Sequence, residues 1–376
     1  MLTIAQVGLR GFGKIHLERA ARLAGLGRVE VVAGCRSNGQ DYGFPCYENL
    51  GEVLSHRDNI DIVSIASPID THFAFAAQAL DYGAHIFLEK PPVASLDQFR
   101  ELEGLADKAG KAIQVGFQSL GSAGINRMKE LAATELGEIR SVQVWGMWLR
   151  TTGYFQRARW AGKRVLDGVR VADGVCTNAL AHSIATACRI VDLVSLDQIE
   201  SVETELYHCF NTESDDTSWV KIRRNDGVPI DVSLTLCGPT QENPTVTLVG
   251  SRGRAQFQYT EDVIIWYNGG APHVEHVART DLLENLVDHI EKHVPLLVPL
   301  AQNAGFMSVL EATQSAPEPM QIQPEHMVWH GEGADSHPVP DGIETFQRTC
   351  LGEGIGYADA QAPWGDSAAK AVWKPR

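Results

Sequence analysis

The chain has 376 residues, more than one ordinary core takes and a comfortable length for two domains. Hydrophobic residues make up 44%, a usual share for a globular protein, and no apolar run is long enough to span a bilayer. Asp and Glu number 47 against 32 Lys and Arg, a net charge of -15, which argues against nucleic acid as a partner and suits a small neutral substrate.

The start, Met1-Leu2-Thr3-Ile4-Ala5, lacks the basic segment and cleavage site of a signal peptide. The seven cysteines are scattered and form no CxxC pair, so the expectation is a reduced, cytoplasmic protein. His273 and His276 form an HxxH without an evident third ligand, and no metal site is expected.

In chain order, Thr3–Val7 reads as a strand, Lys14–Leu23 as a helix and Val29–Ala33 as a second strand. Ile60–Ala66 is a third strand, ending at Ser67-Pro68. A helix from Asp70 to Tyr82 stops at Gly83. His85–Leu88 is a short apolar strand, Ser95-Leu96-Asp97-Gln98 opens a helix to Ala109 as a capping box, and Ala112–Gly116 is another strand. Strands alternating with helices predict βαβ units and a parallel sheet over residues 1–118. Residues 119–315 read differently. After a helix at 124–135, strands dominate: Ile139–Leu149, Ile199–His208, Trp219–Arg223, Ile230–Leu236, Thr245–Val249, Arg254–Tyr259 and Val263–Tyr267. Asn225-Asp226-Gly227 is a strong hairpin signal, so a large, mainly antiparallel open sheet is expected. Helices are expected at Asn178–Val191, 280–294 and 301–313. Seven of the 17 prolines follow residue 316, and residues 316–376 read as an extended tail that wraps the body.

Gly8, Arg10 and Gly13 occupy GxGxxG spacing between the first strand and helix. The first glycine permits the turn and the last permits close helix–strand packing. The helix N-terminus then receives a pyrophosphate. Arg10 stands where glycine lets the phosphate approach; Gly11 compensates, with Phe12 beside it. The second strand ends in Cys35-Arg36-Ser37-Asn38, with no acid for a ribose hydroxyl. Arg36 beside the Ser37 hydroxyl suits a 2′-phosphate, so NADP is favoured over NAD.

Glu89-Lys90-Pro91-Pro92 follows the His85–Leu88 strand. Ligands of open α/β sheets bind outside the carboxyl ends of the strands, so Lys90 stands where a small molecule reaches it. Removing hydride from a carbinol requires a base for the hydroxyl proton, and Lys90 can supply it. Asn178 and His182, four residues apart, share one face of the expected helix and can address a polyol together.

Together these residues resemble the glucose–fructose oxidoreductase/inositol dehydrogenase (Gfo/Idh/MocA) family over about residues 1–315. The resemblance rests on the glycine loop with His16, Ser67-Pro68-Ile69-Asp70-Thr71-His72, Glu89-Lys90-Pro91, Gly116-Phe117-Gln118, Trp160, Ala172-Asp173-Gly174, Asn178 and His182. It implies a Rossmann domain followed by an α/β domain, and oxidation of a secondary hydroxyl of a sugar, cyclitol or related polyol. It implies Lys90 and His182 as acid and base. Ser67, Pro68, His72, Glu89, Lys90 and Gln118 are implied to border the dinucleotide, and residue 178 to bind the substrate hydroxyl. Glu89 and Pro91 would shape the nicotinamide site, where a cis Lys90–Pro91 bond is admissible because proline removes most of its cost.

The departures concern the substrate side. Asn178 replaces an acid, Leu180 a glycine, Ala185 stands where an acid often follows, and Ala172 and Asp173 break a triple glycine. Lys90 is therefore expected to carry more of the proton transfer. Arg150, Tyr154, Arg157, Trp160 and Asp173 are candidate pocket residues, the aromatics for stacking on a sugar face. The second class of function is a non-catalytic dinucleotide-binding sensor of the same fold. An open antiparallel sheet also predicts a homodimer or homotetramer.

Overall fold

A computed structural model describes residues 1–35 and 40–375. The chain divides into two compact units. Met1–Gly121 and Thr280–Ala301 form the first, and Ser122–Arg279 and Gln302–Arg376 the second.

In the first unit the short apolar segments become strands β1 (Leu2–Val7), β2 (Val29–Cys35), β3 (Cys46–Tyr47), β4 (Ile62–Ile65), β5 (His85–Leu88) and β6 (Ile113–Val115). They pair in parallel in the order β3-β2-β1-β4-β5-β6. The chain leaves β1 in one direction toward β3 and in the other toward β6. The switch point therefore lies between β1 and β4, where a doubly wound sheet opens a crevice for ligand. Helices α1 (Phe12–Gly25), α2 (Leu50–His56), α3 (His72–Tyr82) and α4 (Leu96–Ala109) connect the strands. Ser95 caps α4 as read, its Oγ accepting from the Gln98 amide at 3.2 Å, while Gln98 Oε1 accepts from the amide of Ala94, one residue before the cap, at 3.2 Å. Gly83 at φ 94° ends α3 in the left-handed conformation that glycine adopts most readily. The expected helix from Asp70 opens with a 3₁₀ turn, Ile69–Thr71, before α3. The short helix α2, which the sequence reading missed, is capped by the Asn49 side chain.

The boundary at residue 118 needs one correction. Helix Leu282–Lys292 belongs to the first unit, because it buries Leu282, Leu283, Leu286 and Val287 and is tied there by polar contacts. Arg28 donates to Asp288 at 2.6 Å and to Glu291 at 2.5 Å, Arg22 donates to Glu284 at 2.7 Å, and Gln114 donates to Asn285 at 2.6 Å.

The second unit is built on a large sheet ordered His273–His276, Val263–Tyr267, Arg254–Gln258, Thr245–Gly250, Ile139–Met147, Ile230–Thr235, Thr217–Arg224, Ile199–His208 and Met320–Gln321. It is mainly antiparallel, as expected. The central pair Ile139–Met147 and Ile230–Thr235 is parallel, and so is the pair at Met320–Gln321. The Asn225-Asp226-Gly227 turn forms with Gly227 at φ 83°. The expected helix at Asn178–Val191 is split into a π-helix, Val175–Ala179, and an α-helix, Ala181–Ile190. Leu180, at φ -108° and ψ 21°, stands between them.

The tail is not merely extended. It carries a hairpin, Met327–His330 with His337–Pro340, and a helix, Ile343–Glu353. Its last strand, Lys370–Trp373, pairs with Ile199–His208. Its prolines leave residues 341–362 free, which is room enough for the helix. This segment covers the sheet face that the sequence leaves open. Trp145 Nε1 donates to Gln347 at 3.1 Å and Gln143 donates to the Leu351 carbonyl at 2.7 Å. Tyr357 and Trp364 pack with Tyr207, Phe210 and Trp219 in one buried cluster. Among the described residues, no helix is long and apolar enough to cross a membrane.

Candidate functional site

The glycine loop joins β1 to α1 at the switch point. Gly8 lies at φ 80°, and a Cβ on it would stand 2.1 Å from the Ala66 carbonyl oxygen. A Cβ on Gly13 would stand 2.1 Å from the Gly8 carbonyl oxygen. Both positions thus require glycine for close packing. Gly11, at φ 56°, has open space where a Cβ would be, while Arg10, Gly11 and Phe12 face solvent. The N-terminus of α1 carries no side-chain cap and no acidic residue in its first turn. Such an end presents N–H groups and positive dipole to an anion. Gln6, overlooked in the sequence, braces the loop by donating to the Val7 carbonyl at 3.2 Å and the Gly8 carbonyl at 3.1 Å.

Beside this loop, β5 ends in Glu89-Lys90-Pro91, and the Lys90–Pro91 bond is cis. Glu89 is buried, and its Oε1 lies 3.0 Å from Nε2 of His16, itself fully buried on α1. The other His16 nitrogen meets Ser64 Oγ of β4 at 2.8 Å. Burial by itself pushes the Glu89 carboxyl up; the hydrogen bond and charge of His16, then Lys90, outweigh it and hold the carboxyl down at about 2. Glu89 Oε2 also accepts from the Lys90 amide at 3.1 Å. His72 bridges the ends of β4 and β5, its ring nitrogens lying 2.9 Å from the carbonyl oxygens of Pro91 and Ser67. Burial pushes its imidazole down, against the effect of those carbonyls. Ser67 Oγ bonds Thr71 Oγ1 at 2.7 Å, and the Pro68 carbonyl accepts from Thr71. Gly116 lets the next strand end approach, since a Cβ on it would stand 3.0 Å from Glu89 Oε1. Gln118 follows, with its Nε2 buried and without a hydrogen-bond partner.

A dinucleotide fits these residues on two observations: an open glycine cradle on an uncapped helix end, and an orphaned amide at Gln118. Arg36 and Ser37, on which the NADP expectation rests, lie outside the described residues.

In the second unit the predicted pocket residues come together. Asp173 is the hub. Its Oδ1 accepts from Asn178 Nδ2 at 2.5 Å, its Oδ2 accepts from the Gly162 amide at 2.7 Å, and Arg157 donates to it at 3.1 Å. The Arg157 guanidinium stacks 3.7 Å from the Tyr154 ring centroid and 4.6 Å from that of Trp160. Arg150 reaches the same Tyr154 ring at 5.2 Å and the Trp148 ring at 4.4 Å. Ala172, at φ 48°, holds a conformation that favours glycine. Gly174 keeps its place because a Cβ would stand 2.1 Å from Asp215 Oδ1. His182 is half-buried in the first turn of helix Ala181–Ile190. Lys90 belongs to the first unit and His182 to the second. A separate cavity of about 550 Å³, lined by Arg164, Arg170, His208 and Glu213 among others, includes none of the predicted residues.

Gln6 and Ser64 are the site residues that sequence reasoning missed. The one available signal was a polar residue inside an otherwise apolar strand, which in a buried sheet needs a hydrogen-bonding reason.

The switch-point loop, the uncapped helix end and the strand-end lysine define the first unit as a doubly wound, dinucleotide-binding domain. Residues 3–117 match the model of a family described as "Oxidoreductase family, NAD-binding Rossmann fold". The match to this Gfo/Idh/MocA family model lies within the first unit and stops before the second. It is 32% identical over 102 residues to the uncharacterized oxidoreductase YfiI of Bacillus subtilis, covering 27% of this chain and 25% of that one. It is 34% identical over 119 residues to the D-glucoside 3-dehydrogenase of Escherichia coli, covering 30% of this chain and 34% of that one. These matches therefore span between a quarter and about a third of the curated relatives. The WlbA dehydrogenase of Bordetella pertussis, solved with NADH and UDP-GlcNAcA, shares the fold: TM-score 0.69 and 20% identity, over 83% of this chain and 94% of that one.

Proposed function

We propose that the protein is an NADP(H)- or NAD(H)-dependent oxidoreductase acting on a secondary hydroxyl, or the matching ketone, of a sugar, cyclitol or related polyol. Lys90 and His182 serve as its acid and base. The observation that carries the reading is the placement of Lys90 at the carboxyl end of β5, held between the buried Glu89–His16 pair and the His72 bridge to Pro91. The family-model match over residues 3–117 and the sugar-dehydrogenase names of relatives support it.

The bound nicotinamide supplies the hydride acceptor or donor. Gly8, Arg10, Gly11, Phe12 and Gly13 hold the dinucleotide phosphates, and Ser67, Pro68, His72, Glu89 and Gln118 border it. NADP(H) is the favoured form because Arg36 and Ser37 suit a 2′-phosphate. Lys90 takes the hydroxyl proton as the carbinol carbon gives up hydride, and returns it in the reverse direction. Asn178 and Asp173 bind substrate hydroxyls, and Tyr154 and Trp160 offer ring faces to the sugar. A cytoplasmic homodimer or homotetramer remains the proposed assembly, built on surfaces other than the sheet face that the tail covers.

The test is Lys90→Met, assayed on a substrate found by screening polyols with either cofactor. Turnover is expected to fall by about 100- to 10,000-fold, the usual worth of a general acid or base. Cofactor binding, followed by NADPH fluorescence, is expected to stay within about twofold. Near-normal turnover in the variant removes Lys90 from the mechanism. A wild type that binds NADP(H) but turns over no polyol is instead a sensor.

A further inference from the structure

Arg150 has no carboxylate partner among the described residues; neutral groups alone answer it, the Tyr154 hydroxyl and the Trp148 and Tyr154 rings among them. Its side chain is half-buried, and its Nη1 donates only to neutral oxygens, the Leu149 carbonyl at 2.9 Å and Gln241 Oε1 at 3.0 Å. No carboxylate among the described residues lies within ion-pair distance of it. A second guanidinium, Arg157, also lies against the Tyr154 ring; it repels Arg150 and is itself committed to Asp173. Two guanidiniums thus approach one ring, and the one carboxylate at hand, Asp173, is paired with Arg157, in a chain whose net charge is -15. Burial pushes the Arg150 guanidinium down, Tyr154 works against it, and the nearby Arg157 adds to the downward push. The cavity arginines differ. Arg164 is spent on the carbonyls of Thr313, Ala316 and Pro317 at a helix C-terminus, whose dipole favours a cation, and Arg170 pairs with Glu311 at 3.1 Å.

A half-buried guanidinium carries a desolvation cost that only an anion offsets well. The Gln241 contact is solvent-exposed, so the group is reachable. Asp173 links the Tyr154–Arg157 stack directly to Asn178, the residue that matches the substrate-binding position. We infer that the ligand of the second unit carries an anionic oxygen group, a carboxylate or a phosphate monoester, which Arg150 binds beside the Tyr154 ring. The inference rests on the polyol reading above and narrows it from neutral polyols to sugar acids or sugar phosphates. The guanidinium fork matches both groups bidentately.

The experiment is calorimetric titration of the full chain with glucose, glucuronate and glucose 6-phosphate. At least one anion is expected to bind about tenfold or more tighter than glucose, the usual worth of a charge-assisted hydrogen bond. Whichever anion binds tighter assigns the group. Arg150→Gln is expected to remove that margin, bringing the anions down to the affinity of glucose for the same variant, while Arg150→Lys, which keeps the charge and guards against a misfolded Gln variant, retains part of it. Glucose binding as tightly as both anions, or a margin that survives Arg150→Gln, overturns the anion subsite and leaves the polyol reading standing. If none of the three binds, the anion subsite falls, while the polyol reading is decided by the cofactor-linked screen above.

Discussion

Glu89 is the residue on which the lysine's position depends. A fully buried carboxylate survives only with partners, and it has His16 and the Lys90 amide. Replacing His16 by leucine leaves the carboxylate short of one of these and is expected to cost about 3–5 kcal/mol of stability at neutral pH. The cost is pH-dependent in a defined sense. The Glu89 carboxyl is held at about 2, below its ordinary 4.5, so the pair contributes fully above 4.5 and loses its contribution as the pH falls toward 2. The stability gap between wild type and His16→Leu, from urea unfolding, is therefore expected to be widest above pH 4.5 and to close below it. A gap that stays constant over that window would mean His16 acts by packing on Phe87 alone. The motif Glu89-Lys90-Pro91 was legible because its residues are contiguous. Its support was not, since His16 and Glu89 are 73 residues apart and meet only when α1 lies along the sheet.

At the scale of elements, the helix at 175–190, which carries the proposed substrate residues, is interrupted. Sequence periodicity put Asn178 and His182 on one continuous helix. The structure opens instead with a π-helix, a form that recurs at functional sites. It also shows what the Asn178 replacement means. A carboxylate is present after all, five residues earlier at Asp173, and the Asn178 amide donates to it at 2.5 Å. An aspartate at 178 would set two carboxylates against each other. Asn178→Asp alone is thus expected to destabilise by about 2 kcal/mol and weaken polyol binding, although it restores the family's residue. Asp173→Gly combined with Asn178→Asp is expected to recover stability relative to Asn178→Asp. Melting curves and KM for the three variants check this, and an Asn178→Asp protein as stable as wild type refutes the coupling.

For the whole molecule, the tail is the decisive addition. Residues after 340 supply Ile343, Cys350, Tyr357, Trp364 and Ala369 to a cluster shared with Tyr207, Cys209, Phe210, Trp219 and Cys237 of the sheet region. They also satisfy buried polar groups, with Gln347 donating to the Gly146 and Ser233 carbonyls at 3.2 Å and Tyr357 bonding Ser233 at 2.7 Å. Ending the chain at residue 340 exposes both the apolar face and its polar groups. Such a protein is expected to associate or precipitate, as light scattering reads directly, because a contiguous apolar patch of this kind drives association. A truncated chain with unchanged mass in solution shows that the face needs no cover.

The sequence by itself determined the two-layered reading: a parallel α/β unit from alternating periodicities, a mainly antiparallel sheet from strands with short turns, and the strand-end lysine with its glycine loop. These are local signals, written in spacing, caps and turn residues. Only the tertiary structure decided that residues 280–301 return to the first unit, that the proline-bearing tail folds onto the sheet, and that Asp173 answers Asn178. Each depends on ion pairs, side-chain hydrogen bonds or apolar contacts between residues that periodicity does not connect. A charged or aromatic side chain looks the same in a sequence whether it faces water or meets a partner brought to it by the fold.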